Sequence, residues 1–240
     1  MSNNILFVFE GRKTEKSVTD NLTKFFVNEN TVVTCAYCTT IYKMYADISD
    51  DEYLDTFSLV KDIDANKDTL KGFKRSDFSQ IYMFFDYDGH ASNASDKKLN
   101  DLLAFFNEET EKGKLYISYP MVEALKHIES FDTFKDLKVA FDNFQEYKKV
   151  VNANCIKSLI DFNLYNLDIW KELIVAHLKK MNELINNTYK FPAEIVDQLT
   201  IFNKQLEKHI STDKTVAVLS AFPIFLHDYY GNEELKKRLE

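Results

Sequence analysis

Two short apolar runs, each followed by acidic residues and a glycine, constrain the fold of this chain most strongly. The first run, NILFVF, precedes Glu10 and Gly11, and the second, SQIYMFF, precedes Asp86, Asp88 and Gly89. Continuous apolar runs of this length are typical of strands that are covered on both faces by helices. The runs therefore predict two buried strands that end in carboxylates.

Helical patterns alternate with the apolar runs through the first half of the chain. The sequence predicts strands at 4–9, 31–42, 79–85 and 114–120. It predicts helices at 14–27, 50–70, 95–110 and directly after Pro120. Thr14 is expected to cap the first of these helices. Alternating strands and helices indicate an α/β fold with a parallel sheet, whose functional groups collect at the carboxyl ends of the strands.

The pattern changes to long helices from about residue 131. Helical spacing of apolar residues predicts helices at roughly 134–150, 164–187 and 193–210, then a short strand or buried turn, and a last helix that ends at Gly231. We expect an α/β domain at 1–130 and a helical C-terminal region at 131–240 that packs on it.

The charge of the chain excludes simple electrostatic coating of DNA. The net charge is −8, and residues 1–130, with 22 acidic and 15 basic side chains, carry most of it. A site for a divalent metal ion must be acidic before the metal binds, so a phosphate substrate stays compatible with this charge. Three cysteines, no secretory signal and no apolar run long enough to span a bilayer predict a cytoplasmic protein.

The carboxylates at the predicted strand ends suggest a magnesium site. Asp86 and Asp88 would share a face in a regular strand, or straddle its end if Gly89 permits a turn. Two close carboxylates repel each other unless a proton or a cation lies between them, and Mg²⁺ prefers such oxygen ligands. Glu10 is a candidate third ligand. An acidic surface loop is the alternative, because Asp-x-Asp alone is a weak signal.

These motifs together resemble the TOPRIM domain. FVFEGRKTE, followed about 75 residues later by FFDYDG, is similar to the Glu-Gly and Asp-x-Asp elements of that family. EGRKTE and ISYPMVEAL are closest to small bacterial proteins of the OLD/RloB-like group, which are associated with phage defence. The resemblance covers residues 4–130, and it implies a parallel TOPRIM-like sheet flanked by helices.

The resemblance implies Mg²⁺- or Mn²⁺-dependent cleavage of phosphodiester bonds in DNA or RNA. It implies that Glu10 is a general acid/base or metal ligand and that Asp86 and Asp88 are catalytic metal ligands, with Glu15 and Glu123 as further candidate ligands. Substrate contacts are implied for three residues: Gly11, Lys13 and Gly89. Solvated surface lysines are the alternative for Lys13, as also for Lys16, Lys97 and Lys98.

The sequence departs from the larger TOPRIM proteins in several respects. It is short for a topoisomerase, it lacks the cysteine-rich zinc module of primases, and it has no Walker A loop. A separate ATPase or sensor protein is therefore a candidate partner, and a homo-oligomer is also open. The rival hypotheses are a non-catalytic TOPRIM-like binding subunit and a phosphotransferase or phosphohydrolase acting on a small nucleotide.

The cysteines and His90 each have a structural explanation beside a functional one. Cys35 and Cys38 have the spacing of metal ligands, but a zinc site needs a second pair and only Cys155 remains, so buried cysteines are expected. His90 follows the Asp-x-Asp motif and is either a contact to substrate or metal, or simply exposed.

Overall fold

The computed structural model describes residues 4–11, 13–27, 31–36, 41–50, 55–87 and 95–240. The described chain divides into two compact units. The first comprises the described residues up to 85 together with 95–116, and the second comprises 86, 87 and 117–240. The sequence predicted two domains with a boundary after residue 130, and that division stays a prediction.

Strands and α-helices are interspersed along the described chain. The strands are β1 (Asn4–Phe9), β2 (Thr31–Ala36), β3 (Phe78–Asp86), β4 (Asn107–Glu108), β5 (Gly113–Ser118), β6 (Lys138–Ala140) and β7 (Thr215–Ala217). The α-helices are α1 (Thr14–Leu22), α2 (Ile41–Asp50), α3 (Thr56–Asp62), α4 (Asp96–Phe105), α5 (Tyr147–Asn154), α6 (Leu167–Asn186), α7 (Gln198–Gln205), α8 (Ser211–Asp213), α9 (Ala221–Tyr230) and α10 (Asn232–Leu239). None of the described helices is both long and apolar enough to cross a membrane.

A five-stranded, mostly parallel sheet organises the first unit, in the order β2-β1-β3-β5-β4. Strand β1 runs parallel to both β2 and β3, whereas the short β4 runs antiparallel to β5. Residues Ile5 to Phe9 are all buried on both faces of β1. This explains the continuous apolar run, because a central parallel strand is covered by helices on each side. The predicted α/β class and parallel sheet are confirmed.

Several boundaries in this unit differ from the prediction. Helix α1 ends at Leu22 rather than residue 27, since the N–H groups of Lys24 and Phe25 already bond three residues back, to Asn21 and Leu22. Lys13, and not Thr14, is the N-cap residue of α1, without a side-chain cap. The predicted strand 31–42 and helix 50–70 were also too long.

The described residues bound both of these elements. Strand β2 ends at Ala36, and the described chain resumes at Ile41 already in helix α2. Helix α3 begins only at Thr56, where the side chain of Asp55 accepts a hydrogen bond from the N–H of Ser58. The chain then forms a single 3₁₀ turn at Asp64–Asn66, so the helical spacing predicted over 50–70 does not continue.

Helix α6 is the central element of the second unit. It begins at an N-cap, Asn166, and ends where Asn187 adopts a left-handed conformation with φ of 54°. Trp170 and His177 on this helix are fully buried. His177 is satisfied at both ring nitrogens, by the carbonyl of Leu125 at 3.2 Å and the N–H of Ser220 at 3.2 Å. The predicted helix at 164–187 is confirmed.

Two predictions in the second unit were wrong, and a third was wrong only in where its helix begins. Residues 134–150 form two 3₁₀ turns, strand β6 and only the start of α5, instead of one long helix. A 3₁₀ turn, Val122–Lys126, replaces the α-helix expected after Pro120. The helix expected from residue 193 begins at Gln198, capped by Asp197, and it widens into a single π turn at Leu206–Ile210. Strand β6 pairs with β7, so tertiary pairing overrides the local helical spacing.

Candidate active site

The first unit carries the Glu-Gly element directly after β1. The backbone N–H of Glu10 donates to the carbonyl oxygen of Phe84 at 3.3 Å, which continues the ladder between β1 and β3 by one residue. Glu10 and Gly11 are half-buried, and Lys13 is exposed. The carboxylate of Glu10 is thus carried by the end of a buried parallel strand, as the sequence predicts.

The carboxylate of Glu15 lies against the backbone of Gly11. A Cβ atom at position 11 would lie 2.8 Å from both carboxylate oxygens of Glu15, so a side chain there would force the Glu15 carboxylate to move. Glu15 is 8% exposed, so the first turn of α1 directs this acidic group inward. The space above Gly11, where the resemblance implies an approach of phosphate, is occupied by Glu15.

A cleft opens beside Gly11 in the first unit. Its volume is about 360 Å³, and it is lined by residues near the ends of β1 and β2, by Lys16 of α1 and by the turn at Asn66. Cys35 also lines it, but burial raises the pKa of this thiol to about 12, so the thiol stays protonated and is a poor nucleophile. Cys35 is therefore a buried cysteine, as expected, while Cys38 lies outside the described residues.

The second unit carries Asp86, the last residue of β3. The backbone N–H of Val122 donates to Oδ1 of Asp86 at 2.9 Å. The next residue of the chain, Tyr87, donates its own N–H to the carbonyl of Ser118 at 2.9 Å. These two bonds hold the end of β3 beside the segment that follows β5, which explains why the carboxylate of Asp86 has a defined position.

Glu123 is a buried carboxylate next to the anchor of Asp86. Its side chain is 6% exposed, and Oε1 forms an ion pair of 3.3 Å with Nζ of Lys148, whose side chain is 61% exposed. Oε2 of Glu123 is buried and has no hydrogen-bond partner among the described residues. A buried carboxylate oxygen without a partner is costly, and it is the kind of atom that a metal ion would satisfy.

Tyr147 and His127 form a buried pair beside these two carboxylates. The Tyr147 hydroxyl lies 2.9 Å from Nδ1 of His127. Burial raises the pKa of Tyr147 far above its usual value, and the negative charges of Glu123 and Asp86 raise it further. Burial also lowers the pKa of His127 to about 4, helped by the charge of Lys180. We infer that the Tyr147 hydroxyl donates a hydrogen bond to Nδ1 of neutral His127.

The described candidate residues are divided between the two units. Glu10, Gly11, Glu15 and Lys13 belong to the first unit, and Asp86 and Glu123 belong to the second. Asp88, Gly89 and His90 lie outside the described residues. Within the described ranges, no group of three or more acidic, histidine or cysteine side chains has the arrangement of a metal site.

Sequence reasoning did not identify Tyr147, His127 or Lys148 as parts of this cluster. Twenty residues separate the members of the Tyr147–His127 pair, and no local motif links them. Of this cluster, the sequence singled out the two carboxylates, Asp86 and Glu123.

The chain was compared with models of known protein families, with curated proteins and with solved structures, and it matches none of them.

Proposed function

We propose that this protein cleaves phosphodiester bonds of DNA or RNA with the help of Mg²⁺ or Mn²⁺, as a TOPRIM-like nuclease of anti-phage or mobile-element defence in the cytoplasm. The observation that carries the proposal is the second-unit cluster. It combines Asp86, which is anchored by a backbone N–H, with Glu123, whose Oε2 is buried without a partner among the described residues.

The residues of this cluster fit a hard divalent cation. Mg²⁺ takes carboxylate oxygens and keeps several waters, so two or three carboxylates make an open site. Asp86 and Glu123 would hold the ion, and Asp88, two residues further along the chain, is the proposed third ligand. Bound there, the ion would stabilise charge that develops on the scissile phosphate.

The protein's own side chains then have separate tasks. Val122 keeps the carboxylate of Asp86 in place through its backbone N–H. The buried Tyr147–His127 pair is hydrogen-bonded, and its tyrosine feels the charges of Glu123 and Asp86. The general acid/base role implied for Glu10 stays a proposal, which a Glu10→Gln variant tests directly.

A cleavage assay with matched variants tests this function. Supercoiled plasmid, single-stranded DNA and structured RNA would each be incubated with the protein in Mg²⁺, in Mn²⁺ and in EDTA. We expect metal-dependent cleavage of at least one substrate, and a loss of about 100-fold or more in Asp86→Asn, because the loss of a ligand removes several kcal/mol of transition-state stabilisation. The control is Glu146→Gln, whose exposed carboxylate pairs with Lys149 at 2.7 Å.

One observation favours a second candidate, a non-catalytic binding or sensor subunit that works with a partner such as an ATPase. The ammonium group of Lys148 already neutralises part of the charge of Glu123. A lysine in that place is expected if the site no longer takes a metal ion. This candidate would be supported against the nuclease if the protein binds nucleic acid but cleaves it with neither metal ion. Its affinity for nucleic acid should then be the same in EDTA as in metal.

A further inference from the structure

A further polar cavity lies within the second unit, and its lining does not include Asp86, Glu123 or Lys148 of the carboxylate cluster. It has a volume of about 300 Å³, near the lower end of the range for ligand pockets. Its lining includes four lysines and one histidine, namely Lys135, Lys138, Lys180, Lys208 and His209. Two carboxylates, Asp136 and Glu183, share this lining with the four amines, and like charges repel unless enough anions lie among them.

Lys180 is held at the cavity by the backbone of a neighbouring turn. The residue is 2% exposed, and its Nζ donates to the carbonyl oxygens of Phe134 at 2.7 Å and Leu137 at 2.6 Å. The same atom lies 4.2 Å from the centre of the Phe134 ring. Burial lowers the pKa of Lys180 far below its usual range, although the charge of Asp136 opposes this, and an anion in the cavity would favour the charged form. In the charged form the ammonium group has three N–H donors, one more than these two hydrogen bonds use.

Lys208 is anchored in a similar way. Its Nζ donates to the carbonyl of Leu184 at 2.6 Å and to Oδ1 of Asn187 at 2.7 Å, and one N–H remains. Lys208 and His209 lie on the π turn of Leu206–Ile210, and π turns inside helices often occur at functional sites. Nδ1 of His209 is buried and lacks a hydrogen-bond partner within the described part of the chain.

The acidic residues near the cavity do not neutralise it completely. Lys138 pairs with Asp213 at 2.9 Å, but both side chains are about 40% exposed, so an anion can compete with this weak pair. Asp136 and Glu183 also line the cavity, which limits how much negative charge a ligand can bring. A ligand that places a single phosphate group in the cavity fits this balance.

We propose that this cavity binds a phosphate group, held by the remaining N–H donors of Lys180 and Lys208 and by Lys138. Anchored amines lose little side-chain entropy when a ligand binds, and hydrogen bonds between ammonium and phosphate are strong because both partners are charged. The phosphate belongs to a free phosphorylated small molecule or to a nucleic-acid backbone, and the site is the same in both cases. The proposal does not depend on the carboxylate cluster.

The competing explanation is that Lys208 only caps backbone carbonyls at the end of α6. Its Nζ donates to the carbonyl of Leu184 in the last turn of that helix, where lysines are common. Isothermal titration of the full chain with inorganic pyrophosphate separates the two. We expect saturable binding that weakens about tenfold in Lys208→Gln and in Lys138→Gln, since each variant loses one charged donor. Capping alone predicts a lower melting temperature in Lys208→Gln and no pyrophosphate binding in any protein.

The matched control is Lys204→Gln, which removes one positive charge from the same helical segment. Lys204 pairs with Glu207 at 2.7 Å and does not line the cavity, so its binding should stay within about twofold of wild type. If Lys208→Gln fails to fold, Lys138→Gln carries the test, because Lys138 is exposed on β6.

A competition arm identifies the source of the phosphate. Displacement of pyrophosphate by a short single-stranded oligonucleotide would identify a nucleic-acid backbone, and its failure would identify a free phosphorylated molecule. The proposal is overturned if pyrophosphate gives no saturable binding to the wild-type protein. It is equally overturned if Lys204→Gln weakens binding as much as the two cavity variants do.

Discussion

Replacement of Glu123 by glutamine tests whether its buried carboxylate serves a ligand or the fold. In wild type, Oε2 is buried without a partner among the described residues, and Oε1 pairs with Lys148, which is 61% exposed. The unpartnered oxygen costs about 1–3 kcal/mol of folding free energy. The ion pair returns at most about 1 kcal/mol, because its lysine is largely solvated. Glutamine keeps a polar atom at this position but removes the buried charge, whose burial is the larger cost, so the metal-free protein should be equally stable or more stable, by at most about 1 kcal/mol.

The expected signature combines two thermal melts. In EDTA, Glu123→Gln should melt at the same temperature as wild type or about 2–4 °C higher, the shift that 1 kcal/mol produces in a chain of this size. With metal, wild type should gain more. If its dissociation constant is about 1 mM, about 10 mM Mg²⁺ adds about 1.4 kcal/mol of stability to wild type. The variant should gain less than half of that.

The control for these melts is Glu146→Gln, which removes an exposed carboxylate paired with Lys149 and should change neither melt. A structural role for Glu123 predicts the opposite result. A metal-free Glu123→Gln protein that is less stable than wild type by more than about 1 kcal/mol, with an unchanged response to Mg²⁺, would refute the reasoning.

Three further predictions concern the same cluster. Lys148→Gln should tighten Mn²⁺ binding about two- to fivefold in a titration, because it removes a competing ion pair worth about 0.4–1 kcal/mol. The control variant Lys149→Gln should leave Mn²⁺ binding unchanged, and equal effects of the two variants would contradict a specific competition by Lys148. Since burial lowers the pKa of His127 to about 4, the unfolded chain binds this proton first as the pH falls below 6.5. Urea unfolding should therefore show a loss of about 2 kcal/mol between about pH 7 and pH 5 that His127→Gln lacks, and an identical loss in both proteins would rule His127 out. Asp88→Asn should be at least as stable as wild type in EDTA, gain less from Mg²⁺ and lose cleavage, whereas a destabilised variant with a normal metal response would argue against a ligand.

The fold of the first unit could be predicted because its elements have local signatures. The run at Ile5 to Phe9 is continuously apolar since β1 is buried on both faces, and that burial is a property of a central parallel strand. Asp86 was likewise placed correctly at the end of β3, because an apolar strand ends where a carboxylate must stay near solvent or a partner. Element ends were less predictable, as the early stop of α1 at Leu22 shows.

The segment 134–150 shows where sequence periodicity misleads. Its apolar residues have helical spacing, yet strand β6 pairs with β7 more than 70 residues away. The buried Lys180 then donates to the carbonyls of Phe134 and Leu137, which satisfies backbone groups that a helix would have satisfied internally. Short 3₁₀ turns place apolar residues at nearly the same spacing as an α-helix, so the pattern alone does not separate them.

The sequence by itself determined the α/β class, the central strands β1 and β3, helix α6, and the carboxylates that follow buried strands, because these depend on local periodicity and on which residues avoid burial. Tertiary structure alone decided that Glu123 is buried with an unpartnered oxygen among the described residues, that Tyr147 meets His127, and that lysines distant in sequence line one cavity. Those features are set by side chains that meet only when separate segments pack together, and a linear pattern carries no record of such pairings.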